Sequence, residues 1–343
     1  MSKPRVPFNQ SGIVEIARVA KVSPMTVSRA FSGSAPVAAK TRARIMSVAE
    51  ELGYRPNLHA RALRGGRTQS IGLLISMNST PSILKVLRNI TISARKEEYV
   101  IYISDHLGDV ASAEQSLIEY LERHVDGVIF QGSERLLSKK VLSLLAEFPA
   151  VTVITSEPAD LPFSHVVQDR TAAIREVVDH FYASGRRRIR YLANVEFNER
   201  KVAAFLQQLE SHGLSDGEKS ILNMNSVSDS ECSAFVEALN SHFPDGRPDM
   251  DALHCSCDEA AIIAMSWLNS RGIRVPDDIA VVGFNNITIA EYQTVPLASV
   301  DRREDEMIDV VLQMLYSRFK DPGIPASRVE LPMKFIWRES AGS

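Results

Sequence analysis

The residues best suited to chemistry in this sequence lie near its N-terminus, in the run IVEIARVAKVSPMTVSRAFSG. Hydroxyl side chains can donate hydrogen bonds to phosphate oxygens, and a guanidinium can donate twice to the O6 and N7 atoms of a guanine. This mixture of short polar, flexible and cationic residues favours contact with a nucleic acid over bond-breaking chemistry. The residues placed to make such contacts are Ser23, Pro24, Met25, Thr26, Ser28 and Arg29.

The elements that must position these residues are three short helices. Apolar residues recur at helical spacing from Ile13, and Gly12 is the candidate N-cap of this first helix, with Glu15 three residues later. After a tight turn at Lys21-Val22, Ser23 is expected to cap a second helix that has Pro24 at its first position. Val27 and Ala30 then face the core of the three-helix unit.

The third helix of this unit is predicted at roughly Ala39 to Leu52. Gly53 stands at the C′ position, where a positive φ is needed. The side chains expected to face inward are Ile45, Val48, Ala49 and Leu52. A helix, a tight turn and a second helix, supported by a third, form the arrangement that places one helix in a major groove.

The charge is distributed unevenly along the chain. Residues 1–68 contain 12 Lys and Arg but three Glu, a net charge of +9, while the whole chain carries −3 and the remaining 275 residues therefore −12. A basic segment on an acidic body favours a polyanionic partner, nucleic acid first and a membrane surface second. Charge alone also fits a solvated basic tail.

From residue 71 the pattern changes to alternating apolar strands and amphipathic helices, which predicts a doubly wound α/β core. The pattern begins again near residue 189, so two similar lobes are expected, with ligands bound outside the carboxyl ends of the strands or between the lobes. Strands are predicted at Ile71–Ser76, Val100–Ser104, Gly127–Phe130, Val151–Ile154, Arg190–Ala193, Ser220–Met224, Asp251–Cys255 and Ile279–Gly283, and helices at about 82–96, 111–123, 136–146, 170–184, 199–212, 229–242 and 258–271.

Several protein classes receive no support from the sequence. No catalytic constellation and no cofactor or phosphate loop stands in a strand–turn–helix setting, so an enzyme is not expected and no cofactor is predicted. Cys255 and Cys257 are spaced poorly for zinc, and Asp258 is interpreted as a helix N-cap. No apolar run reaches the roughly 18 residues of a membrane helix, and the N-terminus lacks an apolar signal region. A cytoplasmic location is therefore expected.

Residues 13–68 resemble the DNA-binding head of the lactose/galactose repressor (LacI/GalR) family. The strings that carry the resemblance are EIARVAKVSPMTVSRAFSG, VAEELGYRPN and ARALRGGRTQSIGLL, followed in the body by VDGVIF, SGRRRI, CDEAAIIAMSWLNSRGIRVPDDIAVVGFNN, VPLASV and WRES. The resemblance implies a helix-turn-helix head (1–56), a hinge helix and linker (57–69) and a two-lobed, periplasmic-binding-protein-like type I core (70–343). The first lobe is expected at about 70–167 and 300–325, and the second at about 168–299 and 326–343.

The resemblance also implies roles for single residues. Pro24, Met25 and Arg29 fall at base-reading positions, and Leu63 at that of an apolar wedge in the minor groove, on a hinge helix that orders when two hinges meet on DNA. The hinge residues expected to contact DNA are Asn57, Arg61, Leu63 and Arg64. The chain ends without an added heptad helix, so a homodimer on near-palindromic double-stranded DNA is expected rather than a tetramer.

Relatives bind a small effector between the lobes, and the positions implied for that site depart from the family pattern. Lys201, or Arg200 before it, stands at the usual Arg; Cys257 replaces an Asn, Asn285 replaces an Asp, and Asp169 is retained. Added cations favour an anion such as a sugar acid or a phosphorylated sugar. Another effector and no effector stay open. A regulator whose affinity for its operator responds to a ligand is therefore expected. A solute-binding protein of a transport system and a sugar-metabolising enzyme are the alternatives.

Overall fold

The computed structural model describes residues 11–32, 35–54, 67–77, 82–156, 160–224 and 231–342. It divides the chain into two compact units, the first ending at Ser70 and the second beginning at Ile71. The first unit contains the helices α1 (Ser11–Val19), α2 (Pro24–Ser32) and α3 (Ala39–Glu51). Their apolar faces share one small core, formed by Ile16, Ala17, Ala20, Val27, Ala30, Ile45, Val48 and Ala49.

The ends of these helices follow from local hydrogen bonds. The Ser23 hydroxyl accepts a hydrogen bond from the Thr26 N–H at 3.1 Å, which confirms the predicted cap of α2. Beyond α3, Gly53 has a φ of +63° and its N–H donates to the Glu50 carbonyl at 3.0 Å, as predicted for a C′ glycine. Leu52 is 42% exposed rather than inward, because it lies past the last turn of the helix.

The start of α1 differs from the prediction. The helix begins at Ser11, so Gly12 lies in its first turn and is not the N-cap. Gly12 is needed there for space, because a Cβ atom at this position would lie 2.4 Å from the Tyr54 ring. Glu15 pairs instead with Arg18 at 2.6 Å. The absence of a side chain at Gly12 thus allows the beginning of α1 to pack against Tyr54, which follows α3.

The second unit is built on two six-stranded sheets. In the first sheet the order is β11-β5-β4-β3-β1-β2, and in the second it is β12-β10-β9-β8-β6-β7, with β12 antiparallel to β10. The strands are β1 (Ser70–Ile75), β2 (Val100–Asp105), β3 (Gly127–Gln131), β4 (Val151–Thr155), β5 (Ser164–Val167), β6 (Ile189–Ala193), β7 (Ile221–Asn223), β8 (Ala252–Cys255), β9 (Ala280–Phe284), β10 (Ala298–Asp301), β11 (Arg328–Glu330) and β12 (Lys334–Ile336).

Helices cover both faces of each sheet, which explains why most strands are continuous apolar runs. They are α4 (Ser82–Lys96), α5 (Val110–Glu122), α6 (Lys139–Leu145), α7 (Arg170–Ala183), α8 (Val195–Ser211), α9 (Glu231–His242), α10 (Asp258–Asn269) and α11 (Glu304–Lys320). In the first lobe, α4 and α11 pack on one face of the sheet, and α5 and α6 on the other. In the second lobe, α7 and α8 lie opposite α9 and α10. The doubly wound, two-lobed prediction is confirmed.

The chain passes between the lobes after β5, after β10 and between β11 and β12. Residues 326–343 are predicted to lie in the second lobe, and the structure corrects this boundary. Arg328–Glu330 pairs in parallel with His165–Val167 of the first sheet, so the last passage follows Glu330. A three-residue edge strand is held by hydrogen bonds to a strand far away in the sequence. The local sequence pattern therefore does not predict such a strand.

Candidate functional site

Helix α2 exposes the face that was predicted to read DNA. Val27 and Ala30 are buried in the head core, whereas Met25 is 61% exposed and Pro24 and Arg29 are also exposed. A helix held by one face and free on the other can enter the major groove, which is wide enough for a single helix. The described head therefore presents its most suitable side chains on an accessible surface.

The short hydroxyl residues at the start of α2 also have local partners. Ser23 Oγ lies 2.9 Å from Thr26 Oγ1, in addition to its capping bond with the Thr26 N–H. These bonds fix the first turn of the helix, and hydroxyl groups can bond to a phosphate at the same time. Contacts of Ser23, Thr26 and Ser28 with phosphate oxygens stay predictions.

The described part of the head carries a net positive charge, with six Lys and Arg residues against three Glu. Arg18 forms an ion pair with Glu15, and the other cations add positive charge around α2 and α3. All the Lys and Arg side chains in residues 11–32 and 35–54 are exposed, namely Arg18, Lys21, Arg29, Lys40, Arg42 and Arg44. Exposed cations near a groove-sized helix supply the sequence-independent attraction to DNA.

The remaining predicted DNA contacts follow α3 in the sequence. Asn57, Arg61, Leu63 and Arg64 lie outside the described residues, and so does most of the predicted hinge, 57–69. Their contacts, the wedge role of Leu63 and the head boundary at residue 56 therefore stay predictions.

In the second lobe, the carboxyl ends of the strands bring several predicted effector residues to one edge. Cys257 follows β8 and Asn285 follows β9. Lys201 reaches this edge from α8, with its Nζ atom 4.3 Å from the centroid of the Phe284 ring and 3.5 Å from the Ser256 carbonyl oxygen. This is the edge at which open α/β sheets bind ligands.

The electrostatics of this edge are unusual. Burial, together with the charges of Arg170 and Arg302, lowers the pKa of Lys201 to about 7. Burial also raises the pKa of the Cys257 thiol to about 12, so the thiol is neutral at ordinary pH. The neutral Cys257 thiol therefore supplies no negative charge to offset the Lys201 ammonium.

Asp169 stands at the passage from β5 to α7 and caps that helix. Its carboxylate accepts from the Thr171 N–H at 2.9 Å and from the Ala172 N–H at 3.2 Å. Burial alone would raise the pKa of Asp169, but hydrogen bonds from the Thr171 hydroxyl and from these two N–H groups outweigh it and lower the pKa. Asp169 therefore has a structural task that is fulfilled without a ligand, and its contact with an effector stays a prediction.

Asn285 turns the chain at the end of β9. Its φ is +109°, in the region that side chains rarely adopt, and its N–H donates to the Val300 carbonyl at 2.8 Å. The next residue, Asn286, donates to Asp301 at 3.0 Å and accepts from Arg338 at 2.9 Å. These bonds join the ends of β9 and β10, so this edge is built by a polar network as well as by the sheet.

Arg200 does not share the surroundings of Lys201. Its guanidinium pairs with Glu134 of the first lobe at 3.1 Å, and the preceding Glu199 pairs with Arg135 of the same lobe. Both ion pairs join the two lobes. In one the second lobe supplies the cation, and in the other it supplies the carboxylate. The two candidates at the family's Arg position therefore lie in different surroundings, and a contact of either residue with an effector stays a prediction.

Asp258 corrects another expectation. Cys257 occupies the N-cap position of α10, and Asp258 is the first residue of that helix, with its side chain fully buried. One carboxylate oxygen accepts from the Ser299 hydroxyl at 2.5 Å, and the other accepts from the Ile287 N–H at 2.7 Å. The carboxylate thus ties α10 to the segments after β9 and in β10.

Replacing Asp258 by Asn is expected to remove a pH dependence of stability. Burial raises the pKa of Asp258 from 3.8 to about 6, so the folded state holds this proton more tightly than the unfolded state. The stabilisation is complete below pH 3.8 and is lost as the pH rises through about 6. The unaltered chain should lose up to about 3 kcal/mol of stability between these two pH values, and Asp258→Asn, which carries no titrating carboxyl, should not show this loss. Denaturant titrations across this range should show a smaller pH slope for the variant.

The control is Asp245→Asn, which makes the same chemical change at an exposed position of the same lobe. Its pH slope should equal that of the unaltered chain. If the Asp258→Asn protein kept the full slope between about pH 4 and pH 7, the buried carboxylate would not be the group responsible.

The described residues contain no cluster of three or more His, Cys, Asp or Glu side chains that could hold a metal ion. Cys255 and Cys257 are both buried and unpaired by disulfide. Within the ranges that the structure describes, no helix has the length and apolar character needed to cross a membrane.

Two sequence families match this chain. Residues 12–57 match the family described as bacterial regulatory proteins, lacI family, and residues 178–341 match the periplasmic binding protein-like domain. A curated relative, the HTH-type transcriptional repressor PurR of Photobacterium profundum, is 25% identical over 334 residues, which cover 96% of this chain and 98% of that protein.

Solved structures agree with this architecture over nearly the whole chain. A LacI-family transcriptional regulator from Silicibacter pomeroyi superposes with a TM-score of 0.85 at 24% identity, covering 98% of this chain and 99% of its own. The lac repressor dimer bound to operator and the anti-inducer ONPF gives a TM-score of 0.80 at 19% identity, covering 99% of both chains. At these identities the structural likeness establishes the fold.

Proposed function

This chain belongs to the LacI family of bacterial regulatory proteins, and it is a DNA-binding transcriptional regulator rather than an enzyme. We propose that its homodimer binds a near-palindromic operator and represses transcription. A small anionic effector, a sugar acid or a phosphorylated sugar, controls the affinity for that operator. The regulator works in the cytoplasm, where a bacterial operator lies.

The observation that carries this proposal is the two-sided character of α2. Val27 and Ala30 hold the helix on the head core, and the opposite face leaves Pro24, Met25 and Arg29 exposed. In a dimer, two such helices would enter successive major grooves about one helical turn apart. The exposed cations of the head would meet the phosphates on either side.

Control by an effector is supported by the construction of the core. The lobes are joined by crossing segments and by the pairs Arg200–Glu134 and Arg135–Glu199. A ligand that binds one lobe arrangement better than the other shifts the population between them, and a coupling of about 1–3 kcal/mol to DNA binding is typical. The cation Lys201 at the carboxyl edge of the second sheet favours an anion as that ligand.

The experiment that tests the proposed function is operator selection with the unaltered chain and with Arg29→Ala. Random DNA bound by the unaltered chain is expected to yield a near-palindromic consensus. Arg29→Ala should lose about 1–3 kcal/mol of discrimination at one symmetric base-pair position, because a bidentate guanidinium contact is lost there. Gel-shift titrations on the consensus and on single-position variants measure this change.

Arg18→Ala is the matched control, because it removes the same type of side chain from α1, where Arg18 already pairs with Glu15. It should change the affinity for all fragments by a similar factor. If Arg29→Ala also lowered the affinity for every fragment equally, Arg29 would be a phosphate contact and not a base-reading residue. If no fragment were preferred over random competitor, the function itself would be refuted.

A further inference from the structure

We propose that two neighbouring ion pairs form an interlobe clasp, which holds the two lobes of the core in the arrangement of this structure when no effector is bound. The residues of the interlobe clasp are Glu134, Arg135, Glu199 and Arg200. This inference rests on the proposed function, because it adds a restraint to the lobe movement through which the effector is proposed to act.

The same dipeptide, Glu-Arg, supplies both sides of the interlobe clasp. Glu134 and Arg135 begin a short 3-10 turn after β3, while Glu199 and Arg200 lie in α8. The Arg200 guanidinium lies 3.1 Å from the Glu134 carboxylate, and the Arg135 guanidinium pairs with Glu199. Each lobe therefore supplies one cation and one carboxylate, and the four charges sum to zero without a ligand.

The first lobe holds its half of the interlobe clasp through Leu136. This side chain is 4% exposed and packs in the core between the first sheet and the helices α5 and α6. Its N–H donates to the Ser133 carbonyl at 3.0 Å, which closes the turn that contains Glu134 and Arg135. The two charged side chains thus extend from a backbone that is fixed on the lobe.

The second lobe holds its half through a kink in α8. Asn198 has a φ of −127° and a ψ of 19°, outside the helical region, and Glu199 directly follows it. The Asn198 amide donates to the carbonyl four residues earlier at 2.9 Å, a local bond that competes with the regular helix. The Val195 N–H donates to the Asn223 side chain of β7 at 3.1 Å, which ties the turn before the kink to the sheet.

The interlobe clasp is well placed to resist rotation of the lobes about the segments that cross between them. One strand, β4, separates β3 from β5, and two strands, β9 and β8, separate β6 from β10. At about 4.8 Å between strands, the clasp lies roughly 10–15 Å from the crossing segments. A rotation of about 15° would then separate its charges by about 3 Å, which is enough to break both pairs.

The strength of the interlobe clasp suits a restraint that an effector can override. The side chains are largely exposed, at 71% and 51% for Arg135 and Glu199 and at 59% and 63% for Arg200 and Glu134. One exposed ion pair shifts an equilibrium by up to about fivefold, so two pairs that break together shift it by about tenfold. Effectors typically change affinities by about 5–150-fold, which is the same range or larger.

The interlobe clasp is also adjacent in the chain to a predicted effector contact. Lys201 follows Arg200 in α8, and its Nζ atom lies 3.5 Å from the Ser256 carbonyl oxygen at the carboxyl edge of the second sheet. Successive residues of a helix move together. A ligand that displaces Lys201 therefore displaces the charges of the clasp as well.

The test measures the distance between the lobes by pulsed electron paramagnetic resonance on the full-length chain. Spin labels are attached to Ala111→Cys on α5 and Gln207→Cys on α8, both exposed positions, with Cys232→Ser in every sample. The remaining cysteines, Cys255 and Cys257, are buried. Labelled chain is assembled with an excess of unlabelled chain, so that the two labels of an assembly belong to one chain.

Arg200→Glu and Glu134→Arg each place two like charges against one another, so each should lengthen the distance between the labels by about 3 Å or more. The double variant exchanges the two charges and restores the attraction. It should return the distance to that of the unaltered pair, which a merely local disturbance by either substitution would not do.

Lys219→Glu is the matched control, because it reverses the same charge at an exposed position of the same lobe, in the turn before β7. It should leave the distance unchanged. Unchanged distances in both single variants, or a double variant that stays as open as the single variants, would overturn the inference.

Operator titrations without effector on the same proteins separate this inference from the proposed function. Both single variants should change the affinity for the operator in the same direction by about tenfold, and the double variant should restore it. Longer distances with unchanged operator affinity would support the interlobe clasp and contradict control of DNA binding by the lobes. Selective operator binding with unchanged distances would leave the proposed function standing without the clasp.

Discussion

Raising the salt concentration from about 50 mM to about 200 mM is expected to lower the affinity of the full-length chain for its operator by about 10³–10⁵-fold. The described part of each head carries six exposed Lys and Arg side chains, and a dimer presents two such heads. Every phosphate neutralised by a cation releases condensed counterions, and added salt opposes that release. The acidic body, at −12 outside residues 1–68, cannot supply this attraction.

The measurement is a series of fluorescence-anisotropy titrations with operator and random duplexes at several salt concentrations. Both duplexes should lose affinity, and the operator should keep its advantage over the random duplex, because base contacts depend less on salt than phosphate contacts do. Thermal melting of the protein at each salt concentration serves as the control for folding. A fall of less than about tenfold would contradict the predicted mode of binding.

The head could be predicted from the sequence because its signals are local. Ser23 and Pro24 determine where α2 begins, and Gly53 determines how α3 ends, each through a bond or a dihedral angle within a few residues. Val27 and Ala30 were assigned to the core from helical spacing alone, and both are buried. Where the same reasoning was wrong, at Gly12, the deciding contact came from Tyr54, far along the chain.

The core shows the same limit more clearly. The long apolar strands were predicted near their observed positions, but β5, β10, β11 and β12 were not predicted. These strands have three or four residues each, and their pairing crosses between distant segments, as when Arg328–Glu330 joins His165–Val167. A short strand has little periodicity of its own, so its neighbours in the sheet decide its conformation. The passages between the lobes depend on these strands.

The candidate site was predictable as a set of positions but not as an arrangement of charges. Adjacent residues of α8 have different partners: Arg200 reaches Glu134 of the first lobe, and Lys201 lies over Phe284. Because the two residues are adjacent in the sequence, their different partners could not be predicted from it.

Gly283→Ala is expected to destabilise the core by about 3–5 kcal/mol, through overpacking and the loss of buried hydrogen bonds. A Cβ atom at Gly283 would lie 2.2 Å from Asp258 Oδ1 and 3.2 Å from the Asp258 Cα atom. The carboxylate cannot move aside cheaply, because Ser299 and the Ile287 N–H hold its two oxygens. The glycine in β9 is therefore required by the buried acid of α10.

Paired variants distinguish this steric cause from a general preference for glycine. Asp258→Ala alone should also be destabilising, since it leaves the Ser299 hydroxyl and the Ile287 N–H without their acceptor. In the double variant the small side chain at 258 makes room for the new methyl group, so the combined loss should be clearly less than the sum of the two. Gly213→Ala, at a positive-φ turn with open space around it, is the control for backbone strain alone and should cost less.

Denaturant unfolding of the unaltered chain, the two single variants and the double variant gives the coupling free energy between positions 258 and 283. If the two losses of stability were strictly additive, Asp258 would not be the reason why residue 283 must be glycine. The same variants connect this contact to function. The carboxylate joins α10 to the strand ends beside Asn285 and Asn286, on the edge that is proposed to bind the effector. Loss of the contact should therefore weaken the response of DNA binding to an effector while leaving DNA binding by the separate head core intact.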